Sequence, residues 1–287
     1  MTEPHPPFAI ETDALSLLHP DFSRGSAWLL DDISVRIPTG AVVGLVGRNG
    51  AGKSSLMRCL LGLSVPYSGH AQLMGCPSTA LTDSVLERLG YVAQTPDLFG
   101  WLNGHDHLNE MAQVYAHFDM KRALKLALRL ESPLGQRADK LSVGDQQKLA
   151  VVLALAHDPD LLLMDEPVAS LDPLSRRAFM RALFADRAAE ATPRTVLISS
   201  HLLSDLERVV SHVLFLRQGR VQLFGTWDEL SEHLVRLPLQ THPGPAPGLV
   251  HWSANAKQAV VDARHWPGAL HGAQPMAMDD LFEALHA

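Results

Sequence analysis

The residues Gly47-Arg48-Asn49-Gly50-Ala51-Gly52-Lys53-Ser54 spell G-x-x-x-x-G-K-S directly after the apolar run Val42-Val43-Gly44-Leu45-Val46. An apolar run that reads as a strand, a glycine-rich turn and a helix starting near Ser54 form a cradle for a phosphate chain. Glycines let the backbone wrap closely because no β-carbon blocks the turn. The loop amides and the N-terminus of the next helix then face negative charge. In this pattern Lys53 reaches the β- and γ-phosphates, and the Ser54 hydroxyl sits on Mg²⁺. A nucleoside-triphosphate site is therefore expected, and with it an α/β fold.

The remaining signals bound the partners. A net charge of −7 argues against nucleic acid, which selects basic surfaces. Two cysteines, Cys59 and Cys76, give neither a disulfide framework nor metal-ligand spacing, and fit a cytoplasmic setting. No apolar run approaches the ~18 residues of a membrane span. The N-terminal segment lacks the basic end and apolar block of a signal peptide, so any work at a membrane is expected to need a second protein.

Read in order, residues 8–18 and 33–37 are expected as strands, followed by the phosphate-loop strand and a helix over 54–61. Strands are expected at 71–74 and 90–93 around a helix at 82–89. Helices are expected at 105–117 and 121–130, and a third running to 156. The solid apolar run 161–165 reads as a buried parallel strand. A helix over 173–190, a strand over 195–199, a helix over 202–210 and a hairpin over 212–224 complete the alternation. Strands alternating with helices imply a largely parallel sheet covered on both faces. Beyond Trp227, the stretch 241–248 is rich in Pro and Gly and reads as a linker. A strand (249–252), a helix (254–264) and an amphipathic end (278–286) are expected after it.

Downstream residues narrow the chemistry. Leu161-Leu162-Leu163-Met164-Asp165-Glu166 places two carboxylates at a strand end, one suited to holding Mg²⁺ and one to orienting or deprotonating water. The stretch Leu141-Ser142-Val143-Gly144-Asp145-Gln146-Gln147-Lys148 resembles the signature motif of ATP-binding cassette proteins, usually written LSGGQ. Gln94 after a strand, Ala169-Ser170-Leu171-Asp172 after Glu166, and Ser199-Ser200-His201 after a strand resemble the Q-, D- and H-loops of the same family. The resemblance covers residues 8–230.

It implies an α/β P-loop NTPase cassette with a mostly parallel sheet core, an antiparallel β edge, a helical signature subdomain (about 95–158) and a small C-terminal extension (231–287). It implies ATP and Mg²⁺ as ligands, with Gly47, Asn49, Gly50, Ala51, Gly52, Lys53, Ser54 and Ser55 around the triphosphate. Ser54, Gln94 and Asp165 serve the metal, Glu166 is the base, and His201 meets the γ-phosphate. Ser142 and Gly144 cap the nucleotide of an opposing cassette, and Asp172 couples the two sites. Val143 and Asp145 depart from the consensus Gly and Gln; Ser142-x-x-Asp145 also fits a capping box, with Asp145 directed along its own helix. The adenine-stacking aromatic is assigned to Phe22, with Trp28 second. His105, His107 and His117 lack zinc-site spacing and read as solvated or capping residues.

The compact spacing from Gln94 to Leu141, the single cassette and the acidic charge resemble the nucleotide-binding subunit of a membrane transporter. Its expected partners are a second copy of itself or a similar cassette and polytopic transmembrane permease subunits, with no nucleic acid. Its expected place is the cytoplasmic face of the inner membrane. The signature form, the stretch after Asn109 and the C-terminal tail are similar to bacterial exporter cassettes. An importer subunit is the near alternative, and a soluble cassette ATPase is the alternative of another class. Leu98, Phe99, Trp101 and Leu102, just after Gln94, suit a groove for a short helix of a membrane partner.

Overall fold

A computed structural model describes residues 6–19, 28–185, 194–200 and 206–286. The chain runs through β1 (Phe8–Leu18), β2 (Trp28–Pro38), β3 (Val42–Val46), α1 (Lys53–Leu60), β4 (Ser68–Leu73), β5 (Cys76–Pro77), α2 (Asp83–Leu86) and β6 (Leu89–Val92). It continues through α3 (Gly104–Val114), α4 (Met120–Arg129), α5 (Val143–Ala156), β7 (Leu161–Met164), α6 (Pro173–Ala185), β8 (Thr195–Ser200), β9 (His212–Arg217) and β10 (Arg220–Thr226). The last elements are α7 (Trp227–His233), β11 (Leu234–Pro238), β12 (Leu249–Ser253), β13 (Gln258–Asp262), β14 (Gln274–Pro275) and α8 (Met278–His286).

The central sheet has the order β10-β9-β3-β8-β7-β6. Its inner pairings are parallel and β10 closes one edge antiparallel to β9. Continuous apolar runs suit such a sheet because both faces are covered. Along β7, Leu162 and Met164 face one core with α5 and α6, while Leu161 and Leu163 face the other with α1. The second face is closed by an antiparallel sheet of order β2-β1-β4-β5. This topology gathers the C-terminal ends of β3, β7 and β8 at one edge, where ligands bind in open α/β sheets.

Between β6 and β7, α3, α4 and α5 form a helical unit around Leu108, Leu126, Leu130 and Val151. Asn103 and Asp106 form a capping box at the start of α3, and His107 fixes the same corner by bonding the Asn103 carbonyl (2.8 Å) and the Phe99 amide (3.1 Å).

Two expectations change at the end of the chain. The helix expected over 254–264 is a tight turn followed by strand β13, which pairs with β12 and β11. Ala259 and Val261 face a small satellite core, while Val260 faces the main core. Period-two burial on both faces therefore overrides the helical propensity of the alanines. The Pro/Gly-rich stretch 241–248 connects β11 and β12, two strands of one sheet of order β12-β13-β11-β14. Helix α8 then lays Met278, Leu281, Ala284 and Leu285 into the main core. The helix expected over 82–89 is also shorter, because Leu89 already belongs to β6.

Candidate functional site

The loop between β3 and α1 is shaped by positions where a side chain has no room or no allowed backbone. A β-carbon on Gly47 would stand 2.5 Å from the Leu216 carbonyl oxygen. Gly52, at φ 107°, caps α1 and would press on the Leu29 carbonyl. The hairpin turn between β9 and β10 supports the loop from behind, with the Gly219 amide donating to the Ala51 carbonyl at 2.9 Å. Lys53 is buried, donates to the Gly47 carbonyl at 2.7 Å, and lies 3.4 Å from the Glu166 carboxylate.

A cavity of about 310 Å³ opens over this loop. It brings together Asn49, Gly50, Gly52, Lys53, Ser54, Ser55, Gln94 and Glu166 from the expected set, and adds Leu29 and Arg48. Gly47 and Ala51 shape the loop from behind. Asp165 sits at the end of β7, almost fully buried, and accepts the Ser199 hydroxyl at 2.7 Å. Burial and the nearby Asp165 charge push the Tyr91 phenol up. The residues fit a nucleoside triphosphate with Mg²⁺. A hydroxyl, an amide and a carboxylate are the hard oxygen donors that Mg²⁺ takes, and at Gly50 nothing lies within 4 Å of where a β-carbon would stand.

Ser142, Gly144 and Asp172 lie outside this cavity. Ser142 caps α5, and a β-carbon on Gly144 would stand 3.1 Å from the Ser170 carbonyl oxygen, so the signature and the 169–172 turn touch within one chain. Asp145 closes on Ser142, accepting its hydroxyl at 2.7 Å, and lies 3.4 Å from Lys148. Asp172 accepts the amides of Leu174 and Ser175, and the bonds from Ser175 lead in holding its carboxyl below the usual range. Phe22 and His201 lie outside the described residues. Trp28 packs edge-on against Tyr67 with ring centroids 5.6 Å apart.

A second feature adjoins Gln94. Ala93, Pro96, Asp97 and Leu98, on either side of Gln94, form one wall of a groove of about 840 Å³ whose other walls come from Leu61, Leu63, α2, β6, α3 and α5. Leu86, Leu98, Met111, Val114, Tyr115 and Leu153 make it apolar, while Asp83, Glu87 and Asp97 rim it, and no Lys or Arg lines it among the described residues. Of the four large residues after Gln94, Leu98 lines the groove and Leu102 is half-buried. Phe99 and Trp101 stand exposed against each other. Burial holds the His157 imidazole at the groove floor below its ordinary pKa, and Tyr115 stacks on it at 4.2 Å. Among the described residues, no helix is long and apolar enough to cross a membrane.

Sequence reasoning did not place Leu29 or Arg48 in the cavity. It named Ser199 and the 212–224 hairpin, but not the Ser199 bonds to Asp165 and Glu166 or the hairpin turn's support of the loop.

Comparison with known proteins shows which family the chain is similar to. A family model described as "ABC transporter" matches residues 30–169. The chain is 33% identical over 200 residues to the Bacitracin transport ATP-binding protein BcrA of Bacillus licheniformis, covering 69% of this chain and 64% of that one. It is 31% identical over 231 residues to the Phosphonates import ATP-binding protein PhnC 2 of Roseobacter denitrificans, covering 74% and 84%. Among solved structures it resembles an ATP binding subunit of an ABC transporter, with 27% identity and a TM-score of 0.66 over 78% of this chain and 92% of that one.

Proposed function

Because the chain belongs to the ABC transporter ATP-binding family, we propose that this ATPase pairs with a second cassette and drives export through separate permease subunits at the cytoplasmic face of a membrane. The observation that carries the reading is the shared wall. The segment that brings Gln94 to the nucleotide cavity also lines the apolar groove. A change at the triphosphate is thereby passed to whatever fills the groove.

Each group has a task. The amides from Gly47 to Gly52 and the N-terminus of α1 bind the triphosphate, and Lys53 neutralises part of its charge. Ser54, Gln94 and Asp165 would hold Mg²⁺, which when bound offsets negative charge on the phosphates. Glu166 accepts a proton from the attacking water, with the Lys53 ammonium 3.4 Å from its carboxylate. His201 contacts the γ-phosphate. Ser142 and Gly144, at the N-terminus of α5, cap the γ-phosphate of the second cassette, where helix amides favour an anion. Asp172 couples the two sites. Phe22 stacks on the adenine. A cassette domain over 8–230 with its helical unit, followed by the segment 231–287, is the working division of the chain.

Export is favoured by the signature form and by the tail ending in α8. Import is the second reading, favoured by the similarity to a phosphonate-import subunit. A tagged Glu166→Gln variant, expected to hold ATP with turnover sharply reduced, is captured from native membranes with ATP in mild detergent. A stoichiometric polytopic protein supports the transporter reading, and recovery of only a soluble dimer overturns it.

A further inference from the structure

Asp165 and Glu166 are held by a third buried group. Ser199 is fully buried near the end of β8. The parallel ladder pairs it with Leu45 of β3 on one side, and the pairing of Met164 with Ile198 on the other sets it level with Asp165. Its hydroxyl donates to Asp165 Oδ1 at 2.7 Å and accepts the Glu166 N–H at 2.8 Å. Glu166 has φ 47°, a left-handed conformation that a β-carbon disfavours. The amide bonded to Ser199 therefore belongs to a residue whose backbone needs restraint.

We propose that Ser199 is a positioning residue for ATP hydrolysis. One hydroxyl stops the Asp165 carboxylate from rotating and fixes the turn that aims Glu166. β8 ends at Ser200, so the same hydroxyl ties the C-terminal end of that strand to the metal-side carboxylate. Outer-shell partners of this kind change metal affinity or activity by about 10–100-fold when removed. This assignment rests on the roles given above to Asp165 and Glu166, so Asp165→Asn and Glu166→Gln are measured beside it.

The test is Ser199→Ala, read in two ways. Steady-state kinetics gives kcat and KM. Binding of a fluorescent ATP analogue, with Mg²⁺ and with chelator, gives the gain in affinity that the metal brings. The expected result is a kcat lower by about 10–100-fold, a smaller Mg²⁺-dependent gain, unchanged affinity in chelator, and recovery in Ser199→Thr. A wild-type kcat and Mg²⁺ gain in Ser199→Ala, with Asp165→Asn and Glu166→Gln impaired, overturns the Ser199 assignment alone. Wild-type behaviour of Asp165→Asn and Glu166→Gln overturns the underlying roles and the assignment with them. Equal loss of affinity with and without Mg²⁺ marks general damage and also overturns it. If the alanine variant does not fold, Ser199→Cys, which keeps the volume but bonds weakly, decides on the same readouts.

Discussion

Leu281 of α8 is 1% exposed and packs in the same core as Val46, Leu162 and Ile198 of the central sheet. Leu281→Ala removes three buried carbons, a transfer loss of about 2.4 kcal/mol at ~0.8 kcal/mol per methylene. Incomplete collapse of the cavity extends the range to about 2–5 kcal/mol. For a chain of this size, each kcal/mol moves the melting temperature by roughly 2–4 °C, so a fall of roughly 4–20 °C is expected. The assay is calorimetry with and without ATP, with Leu128→Ala as control, since Leu128 is 80% exposed on α4 and should shift stability by less than ~0.5 kcal/mol. The main transition should move as one. If it stays in place while a separate minor transition shifts, α8 does not share the nucleotide-side core and the packing argument fails.

Other outcomes follow from the site. Glu166→Gln should bind ATP with near wild-type affinity while turnover falls by about 10²–10⁴-fold, and single-turnover assays with retained hydrolysis would remove it from the base role. Lys53→Ala should weaken ATP binding by roughly 10–150-fold, the loss of a charge-assisted contact of about 1.5–3 kcal/mol. Replacing Asp83, Glu87 and Asp97 by neutral amides should weaken capture of the permease by about 3–100-fold, at roughly 0.2–1 kcal/mol per charge. Binding that is insensitive both to these changes and to salt would show that charge plays no part there. His157 is held neutral by burial, so its depressed pKa contributes stability that is full above its ordinary value near 6.5. That contribution is lost as pH falls through the lower folded pKa. His157→Phe, which retains a ring against Tyr115, should flatten denaturant midpoints between pH 7 and 5, and an unchanged slope would refute this.

How much of this was legible from the chain depended on whether the signal was local. The phosphate loop, β7 and α5 follow from glycine spacing, a solid apolar run and a capping serine, all readable in short windows. The strand at 258–262 was not, because its identity comes from partners on two faces that lie far away in sequence. The stretch 241–248 carries the composition of a linker, but composition does not say whether the strands on either side belong to one sheet. Ser199 shows the same limit at the site. Its position at a strand end was plain, whereas the Asp165 and Glu166 bonds depend on the register of β8 against β7.

Helix α8 also bears on how the protein is made. Arg217, beside the turn that supports the phosphate loop, donates to the Leu285 carbonyl at 2.6 Å, and Met276, Met278, Leu281, Ala284 and Leu285 complete the core beneath β9 and β8. During synthesis at roughly 5–20 residues per second, the nucleotide-side sheet is assembled seconds before the helix that covers it. Until residues 276–285 emerge, that apolar face is open to chaperones and to other nascent chains. A ribosome that stalls late releases a product with every phosphate-binding residue and an unsealed core, which quality control can recognise by its exposed surface.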